Sequence, residues 1–184
     1  MYTQLKNKIL NVDCMEIMQE IPDGFFDLLI ADPPYGHNIN YYKRPQNRYK
    51  GQAARKRDYP DDITWNKQLT PEYFAEFFRV SKNQIIFGAN YFSDMLPVSP
   101  GWIVWDKENT GNWADCELIW TSYSGAVRKV RWRWNGMIQE KMGHEKEKRF
   151  HPTQKPKGLI ERLIFKFVGF KENFWVFDPC AGAG

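Results

Sequence analysis

The chain is short of cysteine and histidine, and neither is arranged for chemistry. Its three cysteines, Cys14, Cys116 and Cys180, are far apart, odd in number and without C-x-x-C spacing, which argues against a disulfide framework and a structural zinc site. The three histidines, His37, His144 and His151, lack H-x-E or C-x-x-C partners, so no metal is expected. No apolar run approaches the roughly 18 residues of a membrane span. The opening MYTQLKNKIL lacks the charged-then-apolar pattern of an export signal. These absences predict a cytoplasmic protein with no membrane partner. Internal repeats and low-complexity linkers are also missing, which leaves one continuous fold to explain.

What is present is apolar and aromatic. With 184 residues, 42% of them hydrophobic, the chain fits one globular domain with a real core. Eight Trp and thirteen Phe raise the aromatic content to 16%, which excludes a disordered chain. The net charge is +4 and the pI near 8.9, which permits a nucleic-acid partner without demanding one. Charge is concentrated at 43–57, KRPQNRYKGQAARKR, where seven basic residues (Lys43, Arg44, Arg48, Lys50, Arg55, Lys56 and Arg57) meet no acidic one. By charge alone, this is equally a solvated loop or a phosphate-contacting one.

The order of elements reads as a parallel α/β sheet. KILNV (8–12) is a short apolar strand candidate, and Met15, Ile17, Met18 and Ile21 then line one helix face up to Pro22, Asp23 and Gly24. FFDLLIA follows, an apolar run too short for a typical helix and suited to a strand buried on both faces. It runs straight into DPPYG. Thr70 and Pro71 predict the start of a second helix, PEYFAEFFRVS, followed by strands QIIFGA, WIVWD and CELIWTSY. After a stretch of alternating Trp and Arg, KGLIERLIFKFVG reads as an amphipathic helix behind Pro156, and FWVFD as a last strand. In such sheets ligands bind beyond the carboxyl ends of the strands.

The sharpest chemical signal is DPPY, Asp32 to Tyr35. An isolated Pro-Pro pair usually ends a strand and nothing more. Here a carboxylate precedes the prolines and an aromatic follows them, a set suited to activating an aryl amine whose lone pair is delocalised into its ring. Hydrogen bonds from the amine to Asp32 and to the Pro33 carbonyl would return electron density to nitrogen, and Pro33 and Pro34 would hold that backbone rigid. Tyr35 would offer a flat face to a base drawn from a duplex. The segment resembles the catalytic motif of the DNA N4-cytosine and N6-adenine methyltransferases. That resemblance implies a methyl group taken from S-adenosylmethionine, and Asp in first place favours adenine N6, since Ser there is more typical of the N4-cytosine enzymes.

Further segments extend the resemblance over nearly the whole chain. FDPCAGAG, Phe177 to Gly184, is similar to the family's D-P-F-x-G-x-G turn, which implies cofactor contacts from Asp178, Pro179, Cys180, Ala181, Gly182 and Gly184; Cys180 stands where Phe is usual. HPTQKP resembles the cofactor-side motif ahead of that turn and implies the same of Thr153, Lys155 and Pro156; alone it reads as an ordinary helix start. The stretch leading to DPPY implies that Asp13 lies near the cofactor's adenine ring. The motif order resembles the permuted class called beta, whose middle region recognises the target. Residues 109–150 and the loop 43–57 would then face double-stranded DNA, with Arg128, Lys129, Arg131 and Arg133 on phosphates and Trp132 and Trp134 stacking on bases. On the period-2 pattern alone, a strand with Trp inward and Arg in solvent fits equally well. The scattered histidines disfavour a zinc deaminase, the other chemistry that flips bases.

The expected fold is therefore a Rossmann-like S-adenosylmethionine-dependent methyltransferase fold: one α/β domain over residues 1–184 with a doubly wound, mostly parallel sheet, incomplete at the C-terminus. The family places a helix and an acid-bearing strand after the glycine turn, and the sequence stops at Gly184. The last strand would then have an open sheet edge, which predicts a truncated or partial chain, or one completed by a homodimer partner or a complementing chain that supplies the rest. A DNA-binding remnant without a complete cofactor site and an N4-cytosine or RNA enzyme stand as alternatives.

Overall fold

A computed structural model describes residues 5–36, 66–109, 114–135, 138–150, 153–169 and 171–182. Its centre is strand β1 (Leu28–Ala31), whose four residues are all buried. Such a strand needs cover on both faces, as the apolar run FFDLLIA predicts. On one face Leu29 and Ala31 pack with Met18 of helix α1 (Cys14–Glu20), with its C-cap Ile21, and with Phe74, Phe77 and Val80 of helix α2 (Pro71–Val80). On the other, Leu28 and Ile30 meet Leu159, Leu163 and Val168 of helix α3 (Lys157–Val168). The period-2 alternation of the strand thus feeds two separate cores.

The sheet has six strands. Beside β1 lie β2 (Gln84–Phe87) and β8 (Val176–Phe177), both parallel to it. Beyond β2 come β4 (Cys116–Thr121), β3 (Ile103–Asp106) and β5 (Arg128–Arg131), giving the order β5-β3-β4-β2-β1-β8. Three of the five pairings are parallel; β4 alone runs antiparallel to its two neighbours. The mixed α/β sheet, parallel in the majority and clad by helices on both faces, is Rossmann-like. A small hairpin, β6 (Trp134–Asn135) with β7 (Ile138–Gln139), stands apart. Among the described residues no helix is long and apolar enough to cross a membrane.

Local chemistry sets the helix ends. Asp13 caps α1 by accepting from the Met15 amide at 2.9 Å. At the other end the Met18 carbonyl accepts the Ile21 N–H at 3.0 Å, and Arg79 of α2 donates to the Met18 and Ile21 carbonyls at 2.6 and 2.8 Å, which ties α1 to α2. Thr70 occupies the N-cap of α2 without a side-chain cap bond, and the proline at N1 carries the start instead. Glu147 accepts from the Lys157 and Gly158 amides at 2.9 and 3.4 Å, an anionic cap on α3.

One expected element is absent. The segment 8–12 forms no strand, and Ile9, Leu10 and Val12 are 77%, 45% and 50% exposed. A strand exists only through a ladder, and no described strand lies beside this segment. Phe77→Ala should lower the unfolding free energy by about 3–5 kcal/mol. Ile9→Ala should change it by less than about 0.5 kcal/mol, both read from urea midpoints.

Candidate functional site

The carboxyl ends of β1, β2, β3 and β8 point to one edge of the sheet, and the chemistry gathers there. Asp32 to Gly36 follow β1 directly; Pro33 is buried, Pro34 and Tyr35 are half-buried, and Gly36 turns the chain at φ +71°. The Tyr35 ring lies over Gly88, just after β2. A Cβ there would sit 2.3 Å from the ring, and φ is +61°, so glycine is required twice over. The ring stacks on Tyr91 with centroids 4.8 Å apart and meets Phe92 edge-on at 6.0 Å. Tyr91 is itself 38% exposed and turns an aromatic surface toward solvent at this edge.

Four charges and one phenol form a closed network. Tyr35 Oη lies 2.8 Å from Asp32 Oδ1 and 2.9 Å from Glu117 Oε1, with one proton to share between two acceptors. Lys155 Nζ donates to Asp32 Oδ1 at 2.7 Å and to Tyr35 Oη at 3.1 Å, and pairs with Glu117 Oε1 at 3.3 Å. Lys107 Nζ holds the other Glu117 oxygen at 2.7 Å. The side chains of Lys155 and Glu117 are only 9% and 10% exposed. Burial works to raise the Glu117 carboxyl, but the two lysine charges prevail and hold it below its usual range. Burial works in the opposite sense on Lys155, and Glu117 and Asp32 prevail to keep its ammonium charged. Tyr35 is pushed well above the ordinary phenol value by burial, with the Glu117 and Asp32 charges adding to it.

A second group of side chains surrounds the turn after β8. Asp178 accepts from the Cys180 amide at 2.9 Å, and Gly182 takes φ +62°, where a side chain would be strained. Asp178 keeps a solvent-facing edge, yet the protein crowded around its carboxyl pushes the pKa up to about 6, and the charge of Asp32 contributes. Burial likewise raises the Cys14 thiol to about 11 and pushes Cys180 well above the ordinary thiol value, so both are inert neutral groups on the apolar floor. Asp13, already the cap of α1, also receives the Tyr73 hydroxyl at 3.2 Å. The neighbourhood offers carboxylates to a cation, apolar sulfur and aromatic surface to a ring, and a glycine turn for close backbone approach. These properties fit S-adenosylmethionine, which carries a sulfonium and an ammonium.

The structure brings Asp32, Pro33, Pro34, Tyr35 and Lys155 together, with Lys155 bonded to Asp32. Pro156 is the buried N-cap of α3, and Thr153 is exposed. The basic residues 43–57, together with His37, His151 and Gly184, lie outside the described residues. Arg128, Lys129, Arg131 and Arg133 are exposed, and three of them already meet acids: Lys129 with Asp106 at 2.7 Å, Arg131 and Arg133 with Glu108 at 3.3 and 2.8 Å. Trp134 is buried and donates to the Gln154 carbonyl at 2.9 Å, while Trp132 packs on Gly158, where a Cβ would lie 2.4 Å from the ring. Both indoles are engaged within the fold. Sequence reasoning missed Glu117, Lys107, Gly88 and Tyr91. The one available signal was an acid near the start of an apolar strand, CELIWT, which cannot be buried unpaired.

No family model matches the sequence. The chain is similar to type II methyltransferases. It is 24% identical to the type II methyltransferase M2.LlaDCHI of Lactococcus lactis subsp. cremoris, over 100% of this chain and 80% of that protein. It is also 24% identical to the type II methyltransferase M.HinfI of Haemophilus influenzae, over 97% of this chain. The chain spans 60% of the length of that second relative.

The raised Tyr35 pKa predicts a specific alkaline instability. The unfolded chain releases the phenolic proton near the ordinary value of 10.0 while the folded protein retains it, so stability is complete below pH 10 and falls as pH rises above it. Tyr35→Phe should remove that share of the fall, seen as a smaller loss of urea stability between neutral and strongly alkaline pH.

Proposed function

We propose that this chain forms the methyl-transferring domain of a DNA methyltransferase that uses S-adenosylmethionine and modifies adenine N6 of a base rotated out of the duplex. The observation that carries the reading is Asp32, held at the carboxyl edge of the sheet by a charged network with the rigid Pro33 and Pro34 behind it. The similarity to type II methyltransferases agrees with it. When bound, S-adenosylmethionine supplies an electrophilic methyl on a positively charged sulfur.

The protein's part is to place and polarise the nucleophile. Asp32 and the Pro33 carbonyl accept the two N–H bonds of the amino group, which returns lone-pair density to nitrogen and aims it at the methyl. Once the amino group had taken the methyl that the cofactor would supply, the proton lost from nitrogen would have the Asp32 carboxylate as its acceptor. Asp178, Pro179, Cys180, Ala181 and Gly182 line the cofactor side, with Asp13, Thr153 and Pro156, and Asp178 places negative charge where a cation is to be held. The loop 43–57 and the exposed Arg128, Lys129, Arg131 and Arg133 supply phosphate contacts.

The deciding experiment is incubation with DNA and methyl-labelled cofactor, followed by nucleoside analysis. Label in N6-methyladenine is the expected result; label in N4-methylcytosine would transfer the reading to the cytosine branch, and salt-sensitive DNA binding without label would leave a binding module. Asp32→Ala should cut transfer at least about 100-fold while DNA binding survives. Protonation of Asp178 removes a negative charge, so cofactor affinity should fall roughly tenfold from neutral pH to about pH 5. Asp178→Asn should bind weakly with little pH dependence in that window, as isothermal titration would show.

A further inference from the structure

Asp32 uses its two oxygens unequally. Oδ1 receives Lys155 Nζ at 2.7 Å and Tyr35 Oη at 2.8 Å, whereas among the described residues Oδ2 accepts no hydrogen bond. The Asp32 side chain is 27% exposed and Lys155 only 9%, so the carboxylate faces outward from an anchor that lies inside. That anchor has little freedom. Lys155 is fixed along the chain by the buried Pro156 that follows it and by the Gln154 carbonyl, which Trp134 holds at 2.9 Å. Its ammonium lies 5.3 and 5.6 Å from the ring centroids of Tyr35 and Phe87, with Glu117 Oε1 at 3.3 Å. Glu117 cannot yield, because Lys107 grips its second oxygen at 2.7 Å and the strand β4 carries it.

We propose, resting on the methyl-transfer reading above, that Lys155 seated on Glu117 is the positioning residue for Asp32: it ties down Oδ1 so that Oδ2 alone meets the incoming amino group. Without the ammonium, Asp32 and Glu117 would be two carboxylates sharing one phenolic proton, and repulsion would drive the more exposed of them, Asp32, off its rotamer toward water. Lys155 acts through Asp32 and not on the cofactor. This gives the HPTQKP segment a role on the nucleophile's side of the reaction. Glu117, which no motif contains, becomes part of the machinery.

The test compares Lys155→Met, Glu117→Gln and the double variant. It reads the 13C resonance of the Asp32 carboxyl without ligands, the turnover number for DNA methylation, and the cofactor dissociation constant. Lys155→Met should shift the Asp32 resonance and lower turnover about 100-fold, with the cofactor constant within about threefold of wild type; Glu117→Gln should lower turnover about tenfold. If Lys155→Met does not fold, the double variant, which removes one charge of each sign, carries the same readouts: the repulsion is gone with Glu117, but Oδ1 has lost its ammonium, so the Asp32 resonance should still shift and turnover should still fall at least about tenfold. An unmoved Asp32 resonance in the folded variant overturns the proposal. So does a cofactor constant raised about tenfold or more with turnover kept, since that assigns Lys155 to the cofactor. A wild-type protein that transfers no methyl sinks the function reading alone, and the resonance then decides the positioning claim by itself.

Discussion

A lysine ammonium inside the protein is the constraint around which the active edge is built. Moving a charge from water into the interior costs several kcal/mol, which only close opposite charges and hydrogen bonds offset. Lys155 meets that cost with Asp32 and Glu117, and Lys107 then balances the second carboxylate. Two positive and two negative charges close around one phenol, so no member can leave without stranding another. The four charges come from the loop after β1, the residue after β3, the start of β4 and the approach to α3. A local interaction thereby requires most of the sheet to be in register.

The direction of β4 follows from the same need. In a wholly parallel sheet the start of that strand would lie at the amino edge, a strand's length away from Asp32. Running antiparallel to β2 and β3, it delivers Glu117 near its start to the carboxyl edge beside Lys107. Packing adds a second requirement: Tyr35 reaches Glu117 only by crossing Gly88, where any side chain would block the ring. Pro33, Pro34 and Gly88 are thus backbone conditions for one hydrogen bond, that of the Tyr35 hydroxyl. The apolar cluster of Phe74, Phe77 and Phe92 beneath supports the ring that carries it.

Local patterns were readable where they decide local structure. The LLIA of the run FFDLLIA is buried on both faces because it alternates into two cores, whereas the capping of α1 by Asp13 was not read from the sequence. The prolines at 71 and 156 mark helix starts because their fixed φ suits a first turn. KILNV misled because strand pattern expresses a side-chain preference, whereas a strand also needs a neighbouring ladder, and that neighbour is a property of topology. The Trp-Arg alternation left two readings open because period 2 does not say which residues meet a partner. Trp132 against Gly158 and Trp134 on the Gln154 carbonyl are contacts across long sequence separations. Glu117 was illegible for the same reason: its contacts with Tyr35, Lys107 and Lys155 depend on the antiparallel direction of β4, which no property of CELIWT encodes.

Volume alone would have pointed elsewhere. A groove of about 460 Å³ opens at the opposite edge, among Phe78, Gln84, Pro97, Val98 and Trp120. Its one charged lining residue, Lys82, is already paired with Asp27 at 2.7 Å, leaving serines and apolar surface. Among the described residues that line it there is no carboxylate, imidazole or thiol. At the carboxyl edge a carboxylate stands with one oxygen tied down, another carboxyl titrates near pH 6, and a glycine turn admits close approach. The shape of a cavity limits what can enter, but reaction requires groups that change charge or share a proton, and in this fold they converge where the parallel strands end.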